Sequence, residues 1–116
     1  MIKQTAIVLA VLAGSGCAAF QIPSDQLERN QASIRGAEEV GAMSVPSARL
    51  HLQMAKDQTA TAKQIAAAGD ERAVLVLARA QSDAELALAM AREASVHADA
   101  LKAADELKAV QARGNR

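Results

Sequence analysis

Residues 46–91 read PSARLHLQMAKDQTATAKQIAAAGDERAVLVLARAQSDAELALAMA, and the spacing of their small residues decides the fold. Before Gly69, small or apolar residues recur at Ala48, Leu52, Ala55, Thr59, Ala62 and Ala66. After it they recur at Ala73, Leu77, Ala80, Ala84, Ala87 and Ala91. Both series alternate steps of four and three, the heptad seam of helices that pack along their length. Folding the chain back at Gly69-Asp70 pairs Ala66 with Ala73. The pairs that follow are Ala62–Leu77, Thr59–Ala80, Ala55–Ala84, Leu52–Ala87 and Ala48–Ala91. Each pair's two residue numbers have the same sum, as an antiparallel hairpin with a tight turn requires. Ala55, Ala62, Leu77, Ala84 and Ala87 are expected at the heart of this seam. Alanine at facing positions lets two helix axes approach towards the short end of the usual range of roughly 8–10 Å.

The boundaries follow from turn chemistry. Pro46 suits the first turn of a helix, and Gly69 suits the residue just past a helix end, so one helix is predicted over about 46–68. Asp70-Glu71 places negative charge at the start of the next helix, where the dipole favours it. Between residue 70 and Gly114 there is neither Gly nor Pro, which predicts a long helix over about 70–112. Upstream, Ser24-Asp25 offers N-cap oxygens and Glu28 stands three residues after Asp25, as in a capping box. A shorter first helix is predicted over about 25–43, weakened by Gly36 and Gly41. Leu27, Ile34 and Gly41, at steps of seven, place it in the groove opposite Ala62, Ala55 and Ala48. Leu50, Met54, Ile65, Leu75, Leu86 and Leu88 are the larger residues expected to fill between helices. The predicted fold is all-α: a slender up-down-up, coiled-coil-like three-helix bundle built on an antiparallel hairpin, with a long third helix.

Composition agrees. The chain has 116 residues and 29 alanines, one Phe, and no Tyr or Trp. Alanine is the best helix former but buries little area, and hydrophobic stabilisation scales with area. That argues for a thin bundle and against a compact globule, a β-sandwich or a dinucleotide-binding fold. Thirteen basic side chains balance thirteen acidic ones, so no net field draws the chain to nucleic acid or to anionic lipid.

The first seventeen residues read as an address. Lys3 precedes an apolar run from Ala6 to Ala13, which is too short to span a bilayer. Gly14-Ser15-Gly16 then leads to Cys17, the only cysteine. A short apolar run ending in small residues fits a secretory signal over 1–16. A lone Cys in an exported chain has no internal disulfide partner. The small residue before Cys17 resembles the lipobox of bacterial lipoproteins, although Gly14 stands where a branched residue is usual. The resemblance implies cleavage before Cys17 and acylation of Cys17, with residues 17–23 as a tether. Ala18, where an Asp would favour the inner membrane, implies the outer membrane.

Ala37, Gly41-Ala42, Pro46, Leu50, Gly69 and Asp83-Ala84-Glu85-Leu86-Ala87 carry a second likeness. Residues 24–105 resemble a family of short alanine-rich bacterial lipoproteins that is known only as a domain of unknown function. That family implies no catalytic residue. Its helical part can precede a peptidoglycan-binding domain of the outer-membrane-protein-A type, and none is expected before the chain stops at Arg116.

No catalytic constellation is legible. The histidines, His51 and His97, are expected on the surface and too far apart to converge. The pairs His51 with Met54 and Met90 with His97 are the only thioether–imidazole spacings that could hold a soft metal. Asp83 and Glu85 fall on different helix faces, so they form no acid–base pair. Neither cofactor nor small-molecule substrate is expected, and no enzyme. The expected function is a structural or adaptor rod, lipid-anchored to the outer membrane and facing the periplasm. Its alternative is a periplasmic module that sequesters a ligand or metal. Beyond about residue 93 the third helix outruns its hairpin partner. There Val96, Ala100, Ala103, Leu107 and Val110 form a stripe at steps of four and three, the candidate surface for another envelope protein or a second copy. The tether leads into a first helix that begins beside the turn, so the turn is expected near the membrane and the overhang away from it.

Overall fold

A computed structural model describes residues 18–115; the signal expected over 1–16 and the expected acylation site Cys17 lie outside the described residues. The protein is all-helical, with α1 at Ser24–Glu39, α2 at Pro46–Ala67 and α3 at Ala73–Gly114. A 3₁₀ turn at Ala42–Ser44 joins α1 to α2. The helices run up, down and up, and α3, with 42 residues, is about 63 Å long.

The buried residues of α2 are Ala48, Leu52, Ala55, Thr59, Ala62 and Ala66, and those of α3 are Ala73, Leu77, Ala80, Ala84, Ala87 and Ala91. Ala48, Leu52, Ala87 and Ala91 belong to one core cluster with Ala37 and Ala42 of the α1 end. The largest fully buried side chains are only Leu52, Leu77 and Asn30. Such a core depends on close axial approach rather than on bulk.

The turns are made by glycine. Gly69 sits at φ 84°, donates to the Ala66 carbonyl at 2.9 Å, and is followed by Asp70 donating to Ile65 at 3.0 Å. These paired bonds close the end of α2 as a Schellman motif. Gly41, at φ 88°, ends the first helical segment and redirects the chain. α1 therefore stops at Glu39, short of the predicted 43, and Gly41 does not extend its packing stripe. Pro46 occupies the first turn of α2.

Several expectations need correction. The Ser24-Asp25 cap does not form: Ser24 is already helical, and Asp25 pairs with Arg29 at 2.9 Å. Asp70 and Glu71 precede α3 rather than fill its first turn. Asp70 instead accepts from the Arg72 backbone N–H at 2.9 Å and from its guanidinium. The buried residues of α1 are Asn30 and Ala37, while Leu27 and Ile34 flank them half-buried. α1 leans mainly on α3 and less on α2. Gly36 faces Leu88 of α3: a Cβ on it would lie 3.6 Å from Leu88 Cδ2, an ordinary contact. Of the supposed fillers, only Ile65 and Leu88 are half-buried; Leu50, Met54, Leu75 and Leu86 are exposed. Alanine seams bring the axes so close that no interhelical space remains for them.

Candidate functional site

The free length of α3 begins where α2 ends. Pro46 opens α2 at the level of residue 93 in the hairpin register, yet α3 continues to Gly114. Every residue from 95 to 115 is exposed. No Gly or Pro interrupts this segment before Gly114, and its alanines and leucines favour the helix. Lys108 and Asp105 approach at 3.5 Å, an exposed pair that adds little. Arg113 stands in the last turn, where a cation complements the dipole.

Val96 is 68%, Leu107 59% and Val110 62% exposed, and Ala100 and Ala103 are exposed with them. At 3.6 residues per turn this stripe points roughly 140° away from the seam of α3. It therefore lies on the back of α3, continuous with the side that carries exposed Leu75 and Leu86, and not in line with α1 or α2. Leu101, also exposed, sits off the stripe. Its signal was the hairpin seam itself, which runs on from Ala91 through Ala94 and Ala98 to Leu101 before meeting Asp105 and Lys108. The free segment thus offers a long back stripe and a short continuation of the seam.

A polar cluster bridges the hairpin. His51 Nδ1 lies 2.8 Å from Asp83 Oδ1, and Gln58 Nε2 donates to Asp83 Oδ2 at 2.8 Å. Their seven-residue spacing puts His51 and Gln58 on one edge of α2, bracketing Asp83 across the seam. His51 was expected on the surface; its ring is instead 25% exposed and turned to Asp83. The register already set Asp83 beside this stretch of α2, but a reading of charges within single helices could not see a pair between helices. Through these two contacts Asp83 of α3 is tied to α2. Glu38 and Lys56 form a second link, between α1 and α2.

Asn30 makes the third. It donates to Thr59 Oγ1 at 2.6 Å, and Thr59 in turn donates to the Ala55 carbonyl at 2.6 Å. Both side chains lie in the bundle interior. Asn30 Oδ1 has no hydrogen-bond partner among the described residues.

At the turn, the Arg72 guanidinium beside Asp70 holds that carboxyl below its ordinary range, and Asp70 raises Arg72 in return. His97 and Met90 line a shallow hollow of about 370 Å³ with Val45, Ser47, Glu93 and Ala94. Among the described residues no three His, Cys, Asp or Glu side chains gather as metal ligands. No helix of the described residues is long and apolar enough to cross a membrane. No family model, curated protein or solved structure matches the chain.

Proposed function

We propose that this chain is an outer-membrane lipoprotein, anchored through acylated Cys17, that holds a helical rod in the periplasm for an envelope protein or a second copy of itself. The observation that carries this reading is the exposed length of α3 beyond residue 94, with Val96, Leu107 and Val110 on one face. A single helix of about 20 residues is marginal in water, and its stability in proteins comes from packing an apolar face. A partner laid along the back of α3 supplies that packing without disturbing the hairpin. The short apolar run before Gly14-Ser15-Gly16-Cys17 supports the anchor.

Two measurements test the two halves. A fatty-acid analogue should label the protein in its native membrane and fail to label Cys17→Ser; labelling that survives the substitution contradicts the anchor. Leu107→Glu together with Val110→Glu should abolish crosslinking to the partner and leave the thermal melt of the hairpin unchanged. Crosslinking like that of the parent contradicts docking through this face.

A further inference from the structure

The residues before α1 do not hang free. The Phe20 amide donates to the Ala66 carbonyl at 2.9 Å, at the end of α2. The Ala18 carbonyl lies 3.0 Å from where a Cβ on Gly69 would stand, so the chain passes directly over the glycine of the hairpin turn. The Phe20 side chain, in a protein with no other Phe and no Tyr or Trp, is half-buried between the end of α2 and the start of α3. On one side it lines a hollow with Ile22, Leu27 and Ala67, and on the other a hollow with Arg72, Val74 and Leu75. Leu75, in the first turn of α3, is 72% exposed, more than any other large apolar side chain among the described residues.

These contacts shorten the tether. Cys17 is three residues from the pinned Phe20 amide, at most about 11 Å along a fully extended chain. The headgroup layer of one leaflet is itself roughly 5–7 Å thick. A rod acylated at Cys17 therefore keeps its turn end within about 6 Å of the headgroup surface, close enough for projecting side chains to reach it. We propose that this end, with Phe20 and Leu75 on either side of the Gly69 turn, is a foot that contacts the lipid surface directly; the proposal rests on the acylation of Cys17. The charges around the foot balance, with Lys63 and Arg72 against Asp70 and Glu71. Without a basic cluster the foot has no need of anionic lipid, and a zwitterionic phosphatidylcholine surface suffices. The foot also sets orientation: α3 starts at the membrane and carries its free segment to the far end of the rod.

The absence of Trp from the sequence makes the test clean. Acylated Leu75→Trp, Phe20→Trp and Leu107→Trp proteins are reconstituted separately into phosphatidylcholine vesicles with plain or brominated acyl chains. All three should float with the vesicles. Emission from Trp at positions 75 and 20 should fall at least about twofold in brominated lipid, while emission from position 107 should be the same in both. If the proteins float but neither position 75 nor position 20 is quenched, the foot is wrong and the anchor stands. If the protein purified from its native membrane carries no acyl group on Cys17, the anchor reading fails and the foot fails with it. Quenching at 107 equal to that at 75 overturns the upright orientation.

Discussion

Asn30 and Thr59 stand out in an interior otherwise made of alanine and leucine. Their 2.6 Å hydrogen bond joins α1 to α2 at a level where any slip would leave the Asn30 amide unpaired, while Thr59 keeps its bond to the Ala55 carbonyl. Removing one partner of a buried hydrogen bond strands the other, which costs about 1–3 kcal/mol, whereas replacing both by apolar groups of similar shape is nearly neutral. Thr59→Val should therefore destabilise by about 1–3 kcal/mol in urea unfolding. Asn30→Leu combined with Thr59→Val should recover most of that loss; a double variant as unstable as the sum of its singles contradicts the pairing. Asp70 makes a separate case in solvent. Its carboxyl titrates below the ordinary 3.8 because Arg72 holds it charged. A depressed carboxylate contributes stability above its unfolded pKa and loses it as pH falls through its folded pKa. Arg72→Gln should bring the Asp70 titration, followed by carboxyl NMR, back up towards 3.8, and the stability difference from the parent should vanish in strong acid. An Asp70 titration unmoved by the substitution removes Arg72 as the cause.

At the scale of the element, helices built from alanine need close approach at every level of the seam. Ala84 is fully buried, and a large ring there must push the axes apart. Ala84→Trp should destabilise by about 1–3 kcal/mol or more, read as a lowered melting temperature; a parental melt places Ala84 outside the seam. Gly36→Ala works in the opposite direction. The added methyl meets Leu88 at an ordinary 3.6 Å, and alanine is favoured over glycine inside a helix by about 1 kcal/mol. A raised melting temperature is expected; a fall shows that α1 and α3 are too close there for any side chain. The same elements show what a sequence discloses. The α2 and α3 seams were legible because steps of four and three persist through six positions on each side of one glycine. The end and face of α1 were less so. Gly41 reads equally as a helical position or a left-handed terminator, and Leu27 and Ile34 outrank Asn30 and Ala37 on hydrophobicity though they pack at the edge. Leu50, Met54, Leu75 and Leu86 were assigned to the interior on character alone, and an alanine-spaced bundle has no room for them.

At the scale of the molecule, the design is asymmetric: a pinned turn with Phe20 at one end, and about 20 residues of uncovered helix at the other. Val96, Ala100, Ala103, Leu107 and Val110 could be read from the sequence as one stripe, because their spacing is internal to α3. That the stripe faces away from the hairpin, beside Leu75 and Leu86, depends on its phase relative to the seam, and Leu101 was hidden because it belongs to the seam's own continuation. His51, Gln58 and Asp83 escaped for a related reason, since their link exists only between helices. The proposed docking role makes a phase-specific claim that neither a frayed end nor an inert spacer shares. A photoreactive amino acid placed at each position from 94 to 112 in turn, irradiated in intact cells, tests it most directly. Docking through the stripe gives protein adducts at 96, 100, 103, 107 and 110, and little at 98, 105, 108 and 112. Adducts at no position, or at all positions equally, would contradict it.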